Sequence, residues 1–118
     1  GASDREAIRS ATSCLEQRWA TGVFLDGTRQ QDGRVNAPLP GAALLAARSG
    51  APLLPVAIHN SHRALGTGRS WPRLVPIQLR IGEPVPAPAS RRRADLDATT
   101  ALLQERINAL LDQGPQHP

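Results

Sequence analysis

An α/β layered fold, with a mostly parallel sheet flanked by helices, is what this chain of 118 residues predicts. Three patterns carry that expectation. Apolar residues recur every three or four positions near the start, around residue 45 and near the end. Leu53-Leu54-Pro55-Val56-Ala57-Ile58 is a continuous apolar run, the mark of a strand covered on both faces as in parallel sheets. Val75, Ile77, Leu79 and Ile81 alternate with Pro76, Gln78, Arg80 and Gly82, so this second strand has one buried and one wetter face.

Taken in order, Ser3-Asp4-Arg5-Glu6 reads as a capping box opening a helix. Ile8, Ala11, Leu15 and Trp19 form its apolar stripe, and Gly22 is its C-cap candidate. Val23-Phe24-Leu25 follows as a short, all-apolar strand. Turn signals at Asp26-Gly27-Thr28-Arg29 and Asp32-Gly33 bracket a polar loop running to Pro40. Pro40 and Gly41 open a second helix through Ala42, Leu44, Leu45 and Ala47, closed by Gly50 and Pro52. After the 53–58 run, the polar stretch from His59 to Arg73 reads as a surface loop, and Pro76 places the strand after it at an edge. Glu83 to Pro88 is an extended, proline-rich linker. Arg91-Arg92-Arg93 precedes a last helix from about Asp95, with Leu96, Leu103, Ile107, Leu110 and Leu111 on one face and Gly114 and Pro115 as its stop. The whole reads as one domain, with residues 1–88 as core and 89–118 as linker and terminal helix.

Composition narrows the function classes. Apolar residues make up 40% of the chain and aromatics 3%, so aliphatic side chains must do most of the packing, with Trp19, Phe24 and Trp71 as the large rings. All fourteen basic residues are arginine, giving a net charge of +4. Arginine suits planar anions such as phosphate, and GC-rich coding favours it equally. Cys14 is the sole cysteine, which excludes an internal disulfide, and it reads as a small buried residue. No apolar run approaches the ~18 residues of a membrane span, so membrane contact is expected to be peripheral or made by segments outside this chain.

The residues from Gly22 to Arg29, reading GVFLDGTR, resemble the FPEGTRS motif of the lysophosphatidic acid and glycerol-3-phosphate acyltransferases. Three further segments resemble that family in the same order: Pro40-Gly41-Ala42-Ala43 with Leu45-Ala46, Ser49 to Ile58, and Arg80-Ile81-Gly82-Glu83-Pro84-Val85. The resemblance spans nearly the whole chain. It implies the C-terminal part of a glycerol-3-phosphate acyltransferase-like fold, an acyltransferase of phospholipid biosynthesis. Asp26, Gly27, Thr28 and Arg29 would then bind the acceptor phosphate, and Pro52, Pro55 and Val56 would line an acyl or acceptor pocket. Acyl-CoA or acyl-carrier protein is the implied co-substrate, with no other cofactor and no metal. A lysophosphatidate-like acceptor and a peripheral place on the cytoplasmic side of the membrane are implied as well. Leu25 stands where that family prefers Pro, Asp26 where it prefers Glu, and Gln30 where it prefers Ser; the aspartate keeps the charge but shortens the reach by one methylene.

The same family uses a His-x-x-x-x-Asp dyad, its histidine taking the proton from the acceptor hydroxyl. This chain carries none: the fifth residue after His59 is Ala64, that after His62 is Thr67, and His117 sits at the tail. Together with the missing initial Met, this leads to the expectation that the dyad lies upstream in a longer product and that this piece alone is inactive.

Read without the family pattern, Asp26 and Thr28 cap a turn and Arg29 is solvated. Read with it, Gly27 lets the backbone approach a ligand and Arg29 presents a fork of donors to phosphate. His59 and His62 read as surface or strand-end residues, because no Cys or carboxylate lies nearby to complete a metal site. Two other classes stay open. Arg91-Arg92-Arg93 and the high pI suit a small nucleic-acid binder, though stacking rings are nearly absent, and the same arginines suit anionic lipid headgroups. A non-catalytic relative keeping the fold for binding alone is the other.

Overall fold

Among the residues described by the computed structural model (2–25, 34–59 and 77–113), the chain forms α1 (Ala2–Glu16), α2 (Gly41–Ser49), β1 (Val56–His59), β2 (Gln78–Ile81) and α3 (Arg93–Asp112). The expected surface loop after His59, Trp71, the Val75-Pro76 entry to the second strand and the Gly114-Pro115 stop lie outside the described residues.

α1 already includes Ala2 and Ser3, so the capping-box residues sit inside its first turn rather than ahead of it. Its end also differs from expectation. The Arg18 N–H donates to the Leu15 carbonyl and the Trp19 N–H to the Cys14 carbonyl, both at 3.0 Å. With Arg18 at φ 69°, these bonds make a Schellman motif that ends the helix at Glu16, six residues before Gly22. An L-residue in that left-handed region is strained by crowding between Cβ and the following carbonyl. Arg18→Gly is therefore expected to raise stability by about 0.5–1 kcal/mol, read as a higher urea midpoint at unchanged m-value.

Ile8, Ala11 and Leu15 are half-buried where α1 packs on α2. Trp19 and Phe24, the expected ring anchors, are exposed, and so is Cys14, which is not the small buried residue its type suggested. The described residues therefore pack without these two rings.

α2 follows the sequence closely. Pro40 is its N-cap, and Gly50 closes it at φ 74°, its N–H donating to the Ala46 carbonyl at 2.7 Å. Ala42, Ala43, Leu45 and Ala46 are its buried face, and the small side chains let α1 and α3 approach it closely.

The sheet corrects two expectations. Val23-Phe24-Leu25 forms no strand. A strand exists only through a ladder partner, and among the described residues the backbone bond recorded for these three is from the Leu39 N–H to the Leu25 carbonyl, 2.9 Å. Nor are the two strands parallel. β1 and β2 pair antiparallel, with Val56 opposite Ile81 and Ile58 opposite Leu79, so no mostly parallel sheet is present among the described residues. Pairing resumes at Leu53 and Val85, whose N–H groups and carbonyls exchange bonds of 2.8 and 2.7 Å. Between these two pairings, residues 54 and 55 stand opposite 82–84, which is a bulge. At the bulge the Gly82 N–H donates to the Pro55 carbonyl at 2.9 Å. A Cβ on Gly82 would meet Leu110 at 3.2 Å and Pro55 at 3.3 Å, which accounts for glycine in the Arg80-Ile81-Gly82-Glu83 segment.

The covered face is also not the expected one. Ala57 and His59 are buried while Val56 and Ile58 are exposed, so the 53–58 run is covered on one side only. In β2 the apolar residues Leu79 and Ile81 face outward, and Gln78 and Arg80 are the half-buried ones. α3 packs against the sheet and against α2. It begins two residues before the expected Asp95, with Arg92 as N-cap and an Arg93–Asp97 ion pair at 3.0 Å one turn in. Leu96, Thr100 and Leu103 are its buried residues, and the Thr100 hydroxyl donates to the Leu96 carbonyl. The core cluster joins Leu25, Val35, Ala42, Val85 and Leu103. These residues come from both sides of the 26–33 stretch, from α2, from the bridge beyond the bulge and from α3.

Candidate functional site

An apolar groove of about 670 Å³ opens between the end of α1, the Thr21–Leu25 stretch and the Ala51–Val56 segment. Its volume falls within the range of ligand pockets, about 300–1,000 Å³. Leu103 and Ile107 of α3 and Leu45 and Ala46 of α2 also line it. Pro52, Pro55 and Val56 all lie on this groove, Pro55 fully buried and the other two exposed. So do Val23 and Leu25, which form no strand with the Leu53–Val56 segment. The Thr21 Oγ1 atom is buried without a hydrogen-bond partner.

Asp26, Gly27, Thr28 and Arg29 lie outside the described residues, as do His62 and His117. The chain on either side of residues 26–33 is firmly held. Leu25, in the core cluster and on the groove wall, accepts from the Leu39 N–H. On the other side the Asn108 side chain makes a reciprocal pair with Val35. The Val35 N–H donates to Asn108 Oδ1 at 2.9 Å, and Asn108 Nδ2 donates to the Val35 carbonyl at 3.0 Å. Gln104 Nε2 donates to the same carbonyl at 2.9 Å, and Arg34 pairs with Asp112. Gln104, Asn108 and Asp112 recur every four residues, so one polar stripe of α3 grips residues 34 and 35. Sequence reasoning missed this grip. Its one local signal was two amide residues, a helical turn apart, beside the apolar stripe.

His59 is at a strand end, as expected, but buried, and its Nε2 has no hydrogen-bond partner. Among the described residues no three metal-ligating side chains come together, and no helix is long and apolar enough to cross a membrane.

The antiparallel pair backed by helices is an arrangement shared with the fold of a solved acyltransferase. The crystal structure of the 1-acyl-sn-glycerophosphate (LPA) acyltransferase PlsC from Thermotoga maritima matches with a TM-score of 0.73 over 95% of this chain, at 24% identity. That likeness extends over 46% of the PlsC chain, so the present chain spans about half its length. No family model matches the sequence, and no curated protein matches it.

Proposed function

We propose that this chain is part of a glycerolipid acyltransferase and that it binds the phosphate of a lysophosphatidate-like acceptor while a fatty acyl group is transferred from acyl-CoA or acyl-carrier protein. One observation supports this above the others. The last buried residue before Asp26-Gly27-Thr28-Arg29, Leu25, is itself a wall of the apolar groove that Pro52, Pro55 and Val56 also line. The segment proposed to bind the anion follows directly in sequence on a residue of the apolar slot, and a molecule with a phosphate head and a hydrocarbon tail requires both chemistries. Arg29 supplies two parallel donors to phosphate oxygens, and Asp26 orients the turn. The likeness to PlsC in fold and the order of the four motif segments support the same reading.

In this proposal the groove takes the hydrocarbon, the 26–29 segment takes the phosphate, and the base that accepts the hydroxyl proton comes from the part of the fold outside this chain. Work at a membrane surface suits this reaction because the acceptor carries a hydrocarbon chain that partitions into lipid.

The test is Arg29→Ala in a protein that unites this chain with the rest of the acyltransferase fold. Loss of a charge-assisted bond costs about 1.5–3 kcal/mol, so the acceptor KM is expected to rise at least about tenfold with the acyl-donor KM unchanged. An acceptor KM left as it was removes the phosphate role.

A further inference from the structure

We infer that the end of the groove formed by Arg18 and Thr21 is an anion-recognising site of its own, holding the carboxylate or phosphate head of a single-chain amphiphile whose hydrocarbon lies in the groove. The inference rests on the proposed function only in seating a hydrocarbon there, and it uses no part of the 26–29 segment. Polar chemistry is confined to one place in this groove. Arg18, Trp19 and Thr21 are the lining residues whose side chains carry a polar atom, and the rest of the lining is aliphatic or glycine. Three residue steps span at most about 11 Å, so these three stand together just beyond the end of α1.

Two features of these residues are not accounted for by folding alone. Arg18 holds a left-handed position at φ 69°, a seat that glycine takes without strain. A cation does complement the carbonyl end of a helix, but the last turn of α1 holds no basic residue and would have carried one on unstrained backbone. Strain of this kind gathers at ligand clamps, where the placement of a side chain matters more than its cost. The arginine is exposed, and among the described residues its side chain makes no hydrogen bond or ion pair. The second feature is the Thr21 Oγ1 atom, buried without a partner where buried hydroxyls are as a rule paired. Its hydroxyl can turn between the staggered positions of χ1, and a ligand oxygen supplies the partner that the chain does not. The walls accept a hydrocarbon chain, while a carboxylate or phosphate head meets the one charged residue of the lining and takes two parallel bonds from it. Glu16, the acidic residue nearest to Arg18 in sequence, is not part of the lining. A neutral amphiphile, or an apolar segment of protein, leaves that charge unused.

The experiment titrates laurate, dodecyl phosphate and uncharged dodecanol, each below its solubility or micelle limit, into the 118-residue chain and reads binding by calorimetry. At least one of the two anions is expected to bind at least about tenfold more tightly than dodecanol, and which of them does so names the head. Arg18→Gly should remove that advantage, as loss of a charge-assisted hydrogen bond does, and leave dodecanol binding as it was. Because the same substitution is expected to raise the urea midpoint, the loss cannot be one of folding. Arg18→Lys keeps the charge and should keep most of the anion's advantage. Thr21→Val should weaken the anion about threefold while the urea midpoint holds or rises, since no partner within the chain is lost. Arg106→Gln removes an equal charge from an exposed position of α3 that does not line the groove, and it should change nothing. Equal binding of anions and dodecanol, an advantage that survives Arg18→Gly, or one lost equally with Arg106→Gln overturns the inference. An advantage lost in Arg29→Ala and kept in Arg18→Gly also overturns it, while upholding the phosphate role proposed for Arg29. Conversely, loss in Arg18→Gly with an acceptor KM indifferent to Arg29→Ala upholds this site and removes that role.

Discussion

Leu103→Ala is expected to destabilise the fold by about 3 kcal/mol, within the 2–5 kcal/mol typical of truncating a buried leucine. Leu103 is 4% exposed and meets side chains from four other segments, namely Leu25, Val35, Ala42 and Val85. Removing its isobutyl group leaves a void where these segments converge, and none of them can close it without moving the others. Domains of this kind are stable by about 5–15 kcal/mol in total, so the loss is a large share of the margin. Urea unfolding should show a lower midpoint with the m-value unchanged. Leu111→Ala, at a half-buried position on the same helix, should cost clearly less. Equal losses at the two positions would show that Leu103 is not at the convergence point.

Asn108→Leu is the second large effect, expected at about 2 kcal/mol. Its side chain is the recorded partner of the Val35 N–H, and Val35 is buried. Leucine would take the partner from this part-buried donor, which costs more than the net value of an ordinary hydrogen bond. Gln104→Leu should cost less, because the Val35 carbonyl keeps Asn108. In an Asn108→Leu background, however, the carbonyl's remaining side-chain partner among these two is Gln104, so the second substitution should cost more than it does alone. Additive losses in the four-protein cycle would show that the two amides do not share a carbonyl in solution.

Much of the helical layer was legible in the sequence because helix signals are local. Gly50 had to be glycine-like at a left-handed stop, and it is. The spacing of Leu96, Leu103 and Ile107 reported the inner face of α3 directly, and Leu96 and Leu103 are its buried leucines. Signals that need a partner failed. Three apolar residues at 23–25 satisfy a strand's composition, yet nothing in them states whether a neighbouring backbone is present to pair with. Alternation in β2 was read with the right period and the wrong side, since periodicity separates two faces without naming the covered one. Here α3 backs the sheet whose half-buried residues include Gln78 and Arg80, and the aliphatic face is left bare. The end of α1 was misplaced because the rule looks for glycine and Arg18 takes the left-handed role.

For the candidate site the division is similar. Pro52, Pro55 and Val56 were singled out from a resemblance, and they line one groove together with Leu25. The grip of Asn108 and Gln104 on Val35 joins residues 73 and 69 apart in sequence, and no local pattern announces a contact of that span.

The bond between the Leu39 N–H and the Leu25 carbonyl has an evolutionary consequence. It brings residues 25 and 39 together, and Val35, gripped by α3, anchors the chain again, so a change of length between 26 and 33 leaves these anchors in place. Doubling the length of such a closed segment costs only about 0.6 kcal/mol in closure entropy. Under the proposed function, this lets the stretch that carries Arg29 be resized for headgroups of different bulk without redesign of the core.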